Sequence, residues 1–581
     1  MLRIIWTRTR ASQLLFCSLA LMTLLLAGCA PAGNTAPQLA ANQTFIFPLT
    51  HAASFNDLIL DPANTPDIYS ASVVGMIYGH LVTTDYNLNV IPDMASGWDI
   101  SPDGKQYTFH LLPNLHFSDG TALTAKDFAY SIDRALDPAT CVPVFGAGCK
   151  PRTTSLVDIV GYADRVAGRI PSDIGVGLFA PDAQTLIIKL DRPVAYFLEA
   201  MTTSVAIPVE KTFIEQYGVD YKDHTDWTAH LDKGGCSGPF IIQSYGDGKT
   251  LTFAPNPFWY GRKLTLSRVI RPIVPDLTNE YTGYQQGDYD YSDVPPQEYQ
   301  GARDQADFHE IGLLSEQFLG LNELSPPFDD LNVRLAFALA LNKQLIADHV
   351  LNGTSLPTNH IVPQGQPGFN PNLTAPGGDT RAVTGDLNKA QSLIKGYFAQ
   401  CGCKTLQVTL TYPNDAKRTS VALAMQSIWQ TVLSGDWGTV TVTPVGVSFA
   451  TLVNADFTQS LGHSGPLQMW LIGLQTTYPD PHNWLNGVFS PTSPLNVFNY
   501  RDNGQFQAWS LMQQADVEQN PDMRLSLYNR AEQQLVDAAL EIPYAQDKGI
   551  WRLKPYIQGY NPTALQMISD QDWANVMVLA H

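Results

Sequence analysis

GHLVTTDYNLNVIPDMASGWDISPDGKQYTFHLLPNLHFSDGTALTAKDFAYSIDRALDP, residues 79–138, puts a strand, a turn and a helix in immediate succession. Lys105 to Leu112 (KQYTFHLL) alternates apolar and polar residues as a half-buried strand does. Ser118-Asp119-Gly120 carries turn chemistry, as does Asp103-Gly104. Thr124-Ala-Lys-Asp127 then has the spacing of a capping box, in which the two side chains satisfy each other's free backbone N–H groups. Phe128, Ile132, Ala135 and Leu136 fall on one face of the helix that follows, and Asp137-Pro138 ends it.

Outward from this stretch the same alternation of elements continues. A helix is predicted over about 332–350, with Val333, Ala336, Phe337, Ala340 and Leu341 on one side and Gly353 beyond. Another begins at Asn520-Pro521, Asn as cap and Pro at the first helical position, and turns Met523, Leu527, Tyr528, Ala531 and Leu535 inward. A helix around 419–433 carries Trp429 into the core. Strands at Leu406–Tyr412 and Thr439–Val445 lie between helices, so the chain is α/β. Its 581 residues exceed what one core supports, and two to four domains are expected. The net charge is -19. Such acidity repels phosphate backbones and anionic lipid, which excludes a nucleic-acid partner.

The first residues run against that acidity, with Arg3, Arg8 and Arg10 and no acid before position 29. Leu14 to Leu26 is apolar but too short for a membrane span, and it ends in Leu26-Ala27-Gly28-Cys29. That ending resembles the bacterial lipobox, which implies removal of residues 1–28 and diacylglyceration of Cys29. Several acyl chains would then anchor the protein stably, and residues 29–42, rich in Ala, Pro, Gly and Asn, would serve as a tether. Of the other cysteines, Cys141 and Cys149 flank a Pro/Gly loop and form a plausible local disulfide. Cys236 is a candidate partner for Cys401 or Cys403, which leaves one thiol over. No metal-ligand spacing appears, and no metal or cofactor is expected.

Four separated blocks resemble the bacterial extracellular solute-binding proteins of the peptide/nickel family, family 5. The first, Met76 to Pro138, contains the stretch quoted above and matches the family pattern nearly throughout but has Leu112 where a basic residue is usual. The second is Gly238-Pro239-Phe240 with Asn256-Pro257-Phe258-Trp259-Tyr260 and Gln286-Gly287-Asp288-Tyr289-Asp290. The third is Pro327-Phe328-Asp329-Asp330 with Val333-Arg334, Asn342-Lys343 and the turn from Gly353 to Pro363. The fourth is Tyr478-Pro479-Asp480-Pro481 with Trp484.

The resemblance implies a two-lobed periplasmic-binding-protein fold of type II, with an extra α/β domain in the first lobe and ligand enclosed by hinge closure. Lobe I would comprise 43–84, 206–310 and 540–581, the extra domain 85–205, and lobe II 311–539. The chain would cross between lobes near Ile311 and Ala539. Trp98 and Trp259 are read as core. The implied function is that of a lipid-anchored substrate-binding protein of an ABC transporter. It would capture a peptide on the extracytoplasmic face and deliver it, as a monomer, to the permease. An oligosaccharide receptor of the same fold and a lipid-anchored sensor are the alternatives.

In peptide-binding relatives a strand before the Tyr-Pro-Asp-Pro block pairs with the ligand backbone, and an Asp before the Tyr holds the ligand's ammonium. Here the strand is Gly473-Leu474-Gln475, with Leu474 where Trp is usual, and the residue before Tyr478 is Thr477. A hydroxyl supplies no counter-charge, so either Asp480 or Asp67 replaces it or the ligand lacks a free N-terminus. Tyr478, Trp484 and Trp470 are candidate cleft-lining aromatics, and Asp67 and Tyr69, following Leu60-Asp61-Pro62, are candidate contacts from lobe I. No catalytic constellation is present. Gly462-His463-Ser464-Gly465-Pro466 lacks the last glycine of a nucleophile elbow and reads as a loop, so no enzyme activity is expected.

Overall fold

The computed structural model describes residues 38–50, 54–65, 67–140, 154–218, 226–378, 380–457, 465–491, 493 and 503–581. Cys29, Cys141, Cys149 and the 462–464 loop therefore lie outside the described residues. Three sheets organise the molecule. In the first, Thr44–Ile46 runs parallel to Arg268–Pro272, which is followed across the sheet by Thr250–Pro255 and Phe240–Ser244. Phe45, Phe47, Trp227, Phe253 and Trp573 belong to its core.

The quoted stretch builds the second sheet. Gln106–Leu111 buries Tyr107, Phe109 and Leu111 on alternate positions, and pairs with Ala95–Ile100 on one side and Thr185–Lys189 on the other. Thr124 caps the helix Ala125–Leu136 in a capping box with Asp127, and the helix places Phe128 and Ile132 in the core of this domain. Buried Arg134 on the same helix meets both carboxylate oxygens of Asp61 at 2.9 and 2.6 Å, which ties the extra domain to the Leu60-Asp61-Pro62 loop. Trp98 and Trp259 prove half-buried at the margins of their packing rather than enclosed.

The third sheet is the largest, with strand order Tyr291–Asp293, Glu541–Leu553, Ser315–Leu321, Met469–Gln475, Thr405–Pro413 and Thr439–Val447. Glu541–Leu553 pairs with Ser315–Leu321 at its start and with Phe308–Gly312 and Tyr291–Asp293 at its end. One continuous strand thus passes from the second lobe to the first beside the connection 312–315. Ala539, near which the sequence suggested this crossing, instead ends the preceding helix in a left-handed turn at φ 47°. Beyond it the strand pairs first with Ser315–Leu321, then with Ser355–Pro357, and only from Lys548 on with Phe308–Gly312.

The 332–350 segment is not one helix. Leu331–Leu339 stops, and a second start at Lys343 is capped by Asn342, whose side chain accepts from Leu345 N. Backbone of the 383–386 loop occupies the break, through Lys343 N to Val383 O and Asp386 N to Leu339 O. The helix Pro521–Ala538 begins as expected, yet Met523 is 54 % exposed. The inward stripe starts one residue on, at buried Arg524. Cys401 and Cys403 form a disulfide with each other, so neither pairs with Cys236, which is a free thiol buried in the first core. Among the described residues no helix is long and apolar enough to cross a membrane.

Candidate functional site

The strand Met469–Gln475 is buried over its first four residues, half-buried at Gly473 and Leu474 and exposed at Gln475. Along its whole length it pairs with Ser315–Leu321, Gly473 facing Gln317 and Gln475 facing Ser315. On the opposite side Thr405–Pro413 pairs with it only at Met469 and Trp470. From Leu471 onward that edge has no strand partner among the described residues. An open edge of this kind is a template for an added extended chain. Gly473 is glycine for a local reason: the Gln317 side chain crosses it, and a Cβ there would stand 2.4 Å from Gln317 Nε2. Gln317 in turn donates to Asp547 at 2.9 Å, and Asp547 also receives Ser355 Oγ at 2.9 Å and Lys417 Nζ at 2.8 Å. These supporting residues escaped the sequence reading, although a glycine inside an apolar strand was a signal of close approach.

Past the strand, Thr476 N donates to the connection residue Leu314 at 3.2 Å, and Thr477 is exposed. Asn483 donates to the Thr477 hydroxyl at 3.3 Å, and the position carries no charge. Asp480 does not replace one. It caps the helix Pro481–Phe489 by accepting from His482 N at 2.8 Å, pairs with Arg524 at 2.6 Å, and is 3 % exposed. Asp67 likewise works locally, capping Ile68–Ile77 through Tyr69 N, Ser70 N and Ser70 Oγ, though it remains exposed.

The candidate aromatics are packed rather than cleft-lining, because large rings gain most from full burial. Trp484 donates to Gln366 at 2.9 Å within the second-lobe core, Trp470 lies against Gly320, and Trp429 donates to Phe337 O at 2.9 Å. Tyr478 meets His482 Nδ1 at 2.7 Å, and His482 stacks on Tyr196 of the extra domain with ring centres 3.5 Å apart. Tyr196 donates to Asp158, and Arg192 bridges Asp158 at 2.6 Å and Asp516 at 3.3 Å. Burial, followed by the nearby Arg524 and Arg192 cations, holds the His482 ring well below its ordinary pKa, as a neutral stacking surface. The extra domain and the second lobe are thus latched directly to each other.

On the first lobe Tyr69 is half-buried and lines a cavity of about 120 Å³ together with the connection residues Ile311, Leu313 and Gly549. Thr476 and this cavity therefore adjoin the segment 311–315, and the open strand edge lies on the other side of Met469–Gln475. Elsewhere, His80, Asp93 and Asp570 bring ligand-type atoms within 4.8 Å of one another. Their own hydrogen bonds, His80 Nδ1 to Asp570 at 2.8 Å and His80 N to Asp93 at 3.0 Å, already engage them.

A two-lobed body joined by crossing strands, with an open strand edge in its largest sheet among the described residues, has the form of a solute receptor. The model of the bacterial extracellular solute-binding proteins, family 5 (middle), matches residues 89–496, and the chain belongs to this family. Its members are substrate receptors and not enzymes. A probable deoxycholate-binding periplasmic protein, YgiS of Escherichia coli, is 28 % identical over 509 residues, covering 86 % of this chain and 88 % of its own. The periplasmic oligopeptide-binding protein OppA of Escherichia coli is 25 % identical, covering 90 % and 91 %. Among solved structures, the Escherichia coli murein tripeptide binding protein MppA superposes with a TM-score of 0.72 at 22 % identity, covering 94 % of this chain and all of its own. That likeness establishes the type II binding-protein fold.

Proposed function

We propose that this protein is the substrate-binding component of an ABC importer, which captures a peptide between its lobes by hinge closure and hands it to the permease. The observation that carries this reading is the edge at Gly473-Leu474-Gln475, which has no strand partner among the described residues and offers backbone groups to an extended ligand whatever its side chains. Peptide binding by OppA, a relative over nine-tenths of the chain, supports it. Thr477 and Tyr69 complete the contacts, with Asp67 at the mouth. The hinge is taken as 311–315 with 547–549, dividing lobe I (43–84, 206–310 and the C-terminal segment) and its extra domain (85–205) from lobe II. Cleavage before Cys29 and acylation of its thiol would hold the protein, as a monomer, on the extracytoplasmic face of the membrane.

A second reading is favoured by one residue. Thr477 offers no counter-charge to an ammonium, which suits an amphipathic acid such as the ligand named for YgiS. Native mass spectrometry of the form beginning at Ala30, followed by denaturation, separates the two. A ladder of co-purified peptides is the expected result. A steroid acid or a hexose series in its place reassigns the ligand. An empty protein stabilised by none of these overturns the receptor reading in favour of a sensor.

A further inference from the structure

The first-lobe cavity is built round a buried cation that the resemblance did not bring to notice. Arg271, on the strand Arg268–Pro272, lines the cavity and is only 5 % exposed. Its Nη1 donates to Ser72 Oγ at 2.8 Å and its Nη2 to Pro48 O at 3.4 Å, while Nε has no acceptor among the described residues. The guanidinium carbon lies 4.1 Å from the centre of the Phe47 ring, an attraction that holds it without neutralising it. No carboxylate forms an ion pair with Arg271 among the described residues.

Two acids share the wall, and both are turned to other partners. Glu280 Oε1 accepts from Asp293 N at 2.8 Å, and Asp293 Oδ1 accepts from the Tyr291 hydroxyl at 2.6 Å. Burial, and after it the Asp293 charge, pushes the Glu280 carboxyl up to about 9, so Glu280 is neutral at physiological pH. The wall therefore carries the Arg271 cation with Asp293 as the charged acid beside it, next to the phenolic rings of Tyr69 and Tyr560. Arginine meets carboxylates through paired N–H groups, and it does so most strongly where water is excluded. The volume, about 120 Å³, is roughly eight times what one water needs. A carboxyl group on a short apolar stem fits it.

We propose that this cavity is a carboxylate subsite of the ligand cleft, with Arg271 receiving the carboxylate of the captured ligand through its unfilled donors. The proposal rests on the receptor reading above and extends it: the preferred ligand is an acid, whether a peptide terminus, an acidic side chain or a steroid acid. Trp551 and Trp573 line the same cavity, so its occupancy is read by tryptophan fluorescence. The probes are propionate and its neutral isostere propionamide, titrated at constant ionic strength into the form beginning at Ala30.

Propionate is expected to give a saturable change below about 100 mM and propionamide none. Arg271→Met should weaken the propionate response at least about tenfold, and Arg271→Lys, which keeps the charge but loses the paired N–H groups, should fall between Met and the wild type. Equal responses to the two probes, no saturable propionate response, or full retention in Arg271→Met overturns the subsite. If Arg271→Met does not fold, the contrast between the two probes in the wild-type protein decides alone. The tripeptide Ala-Ala-Ala, its C-terminal amide and the amide of Ala-Glu-Ala separate this proposal from the one beneath it. Equal affinity for all three overturns the subsite and leaves the peptide receptor standing. Propionate binding with no tripeptide binding does the reverse.

Discussion

At Gly473 the Gln317 side chain crosses the strand on its way to Asp547, and only a residue without a Cβ leaves it room. Gly473→Val should displace Gln317, cost about 1 kcal/mol for the lost hydrogen bond and lower ligand affinity by more than its effect on stability explains; thermal melts paired with ligand titration check both. Deeper in the second lobe Glu541 lies beside Glu316, and burial pushes its carboxyl from 4.5 up to about 8. Between those values the folded protein keeps a proton that the unfolded chain releases, so this group's contribution to stability declines as pH rises from 4.5 towards 8. Glu541→Gln should remove that slope. Urea midpoints at pH 5 to 8 should show the variant gaining on the wild type with rising pH, and parallel curves would refute the assignment. Individual residues were legible in the sequence where chemistry is local, as at Thr124, whose capping partner Asp127 stands three residues on. Where a partner is remote they were not: Asp480 looked available because Arg524, 44 positions on, gave no sign of claiming it.

Elements were read best where caps and periodicity agree. The Thr124–Asp127 box and the Asn520-Pro521 start both stand where the sequence put them. Asn520 accepts from Met523 N at 3.0 Å, and Asn520→Ala should destabilise the protein by about 1 kcal/mol, measured by denaturant midpoint, without altering ligand affinity. The inward face of that helix was misread at its first turn because a charged residue, Arg524, occupies the buried stripe ahead of Leu527 and Tyr528. In the 332–350 segment apolar periodicity runs on through a break that only the 383–386 loop explains. Periodicity records which face is buried, and it is silent about a distant loop that takes over the backbone groups. The same limit applies to cysteines: adjacent spacing admits a local Cys401–Cys403 bond, yet only the packing shows Cys236 sealed away from it.

For the whole molecule the two-lobed plan was legible from block order, whereas the latch between the extra domain and the second lobe was not. Arg192 and Asp516 are separated by 324 residues, and no pattern in either neighbourhood announces the other. Arg192→Met should loosen that latch and favour the open form, and because Arg192 is partly exposed the effect is modest. Ligand binding should weaken roughly fivefold, about 1 kcal/mol, with a larger radius of gyration by small-angle scattering in the absence of ligand. An unchanged affinity and radius would mean that the latch does not bear on closure. The strand Glu541–Leu553 also has a bearing on biogenesis. It sits inside the largest sheet and serves both lobes. Every strand it pairs with precedes it in the chain, so a polypeptide made from its amino end holds all of those partners before the strand that joins them is present.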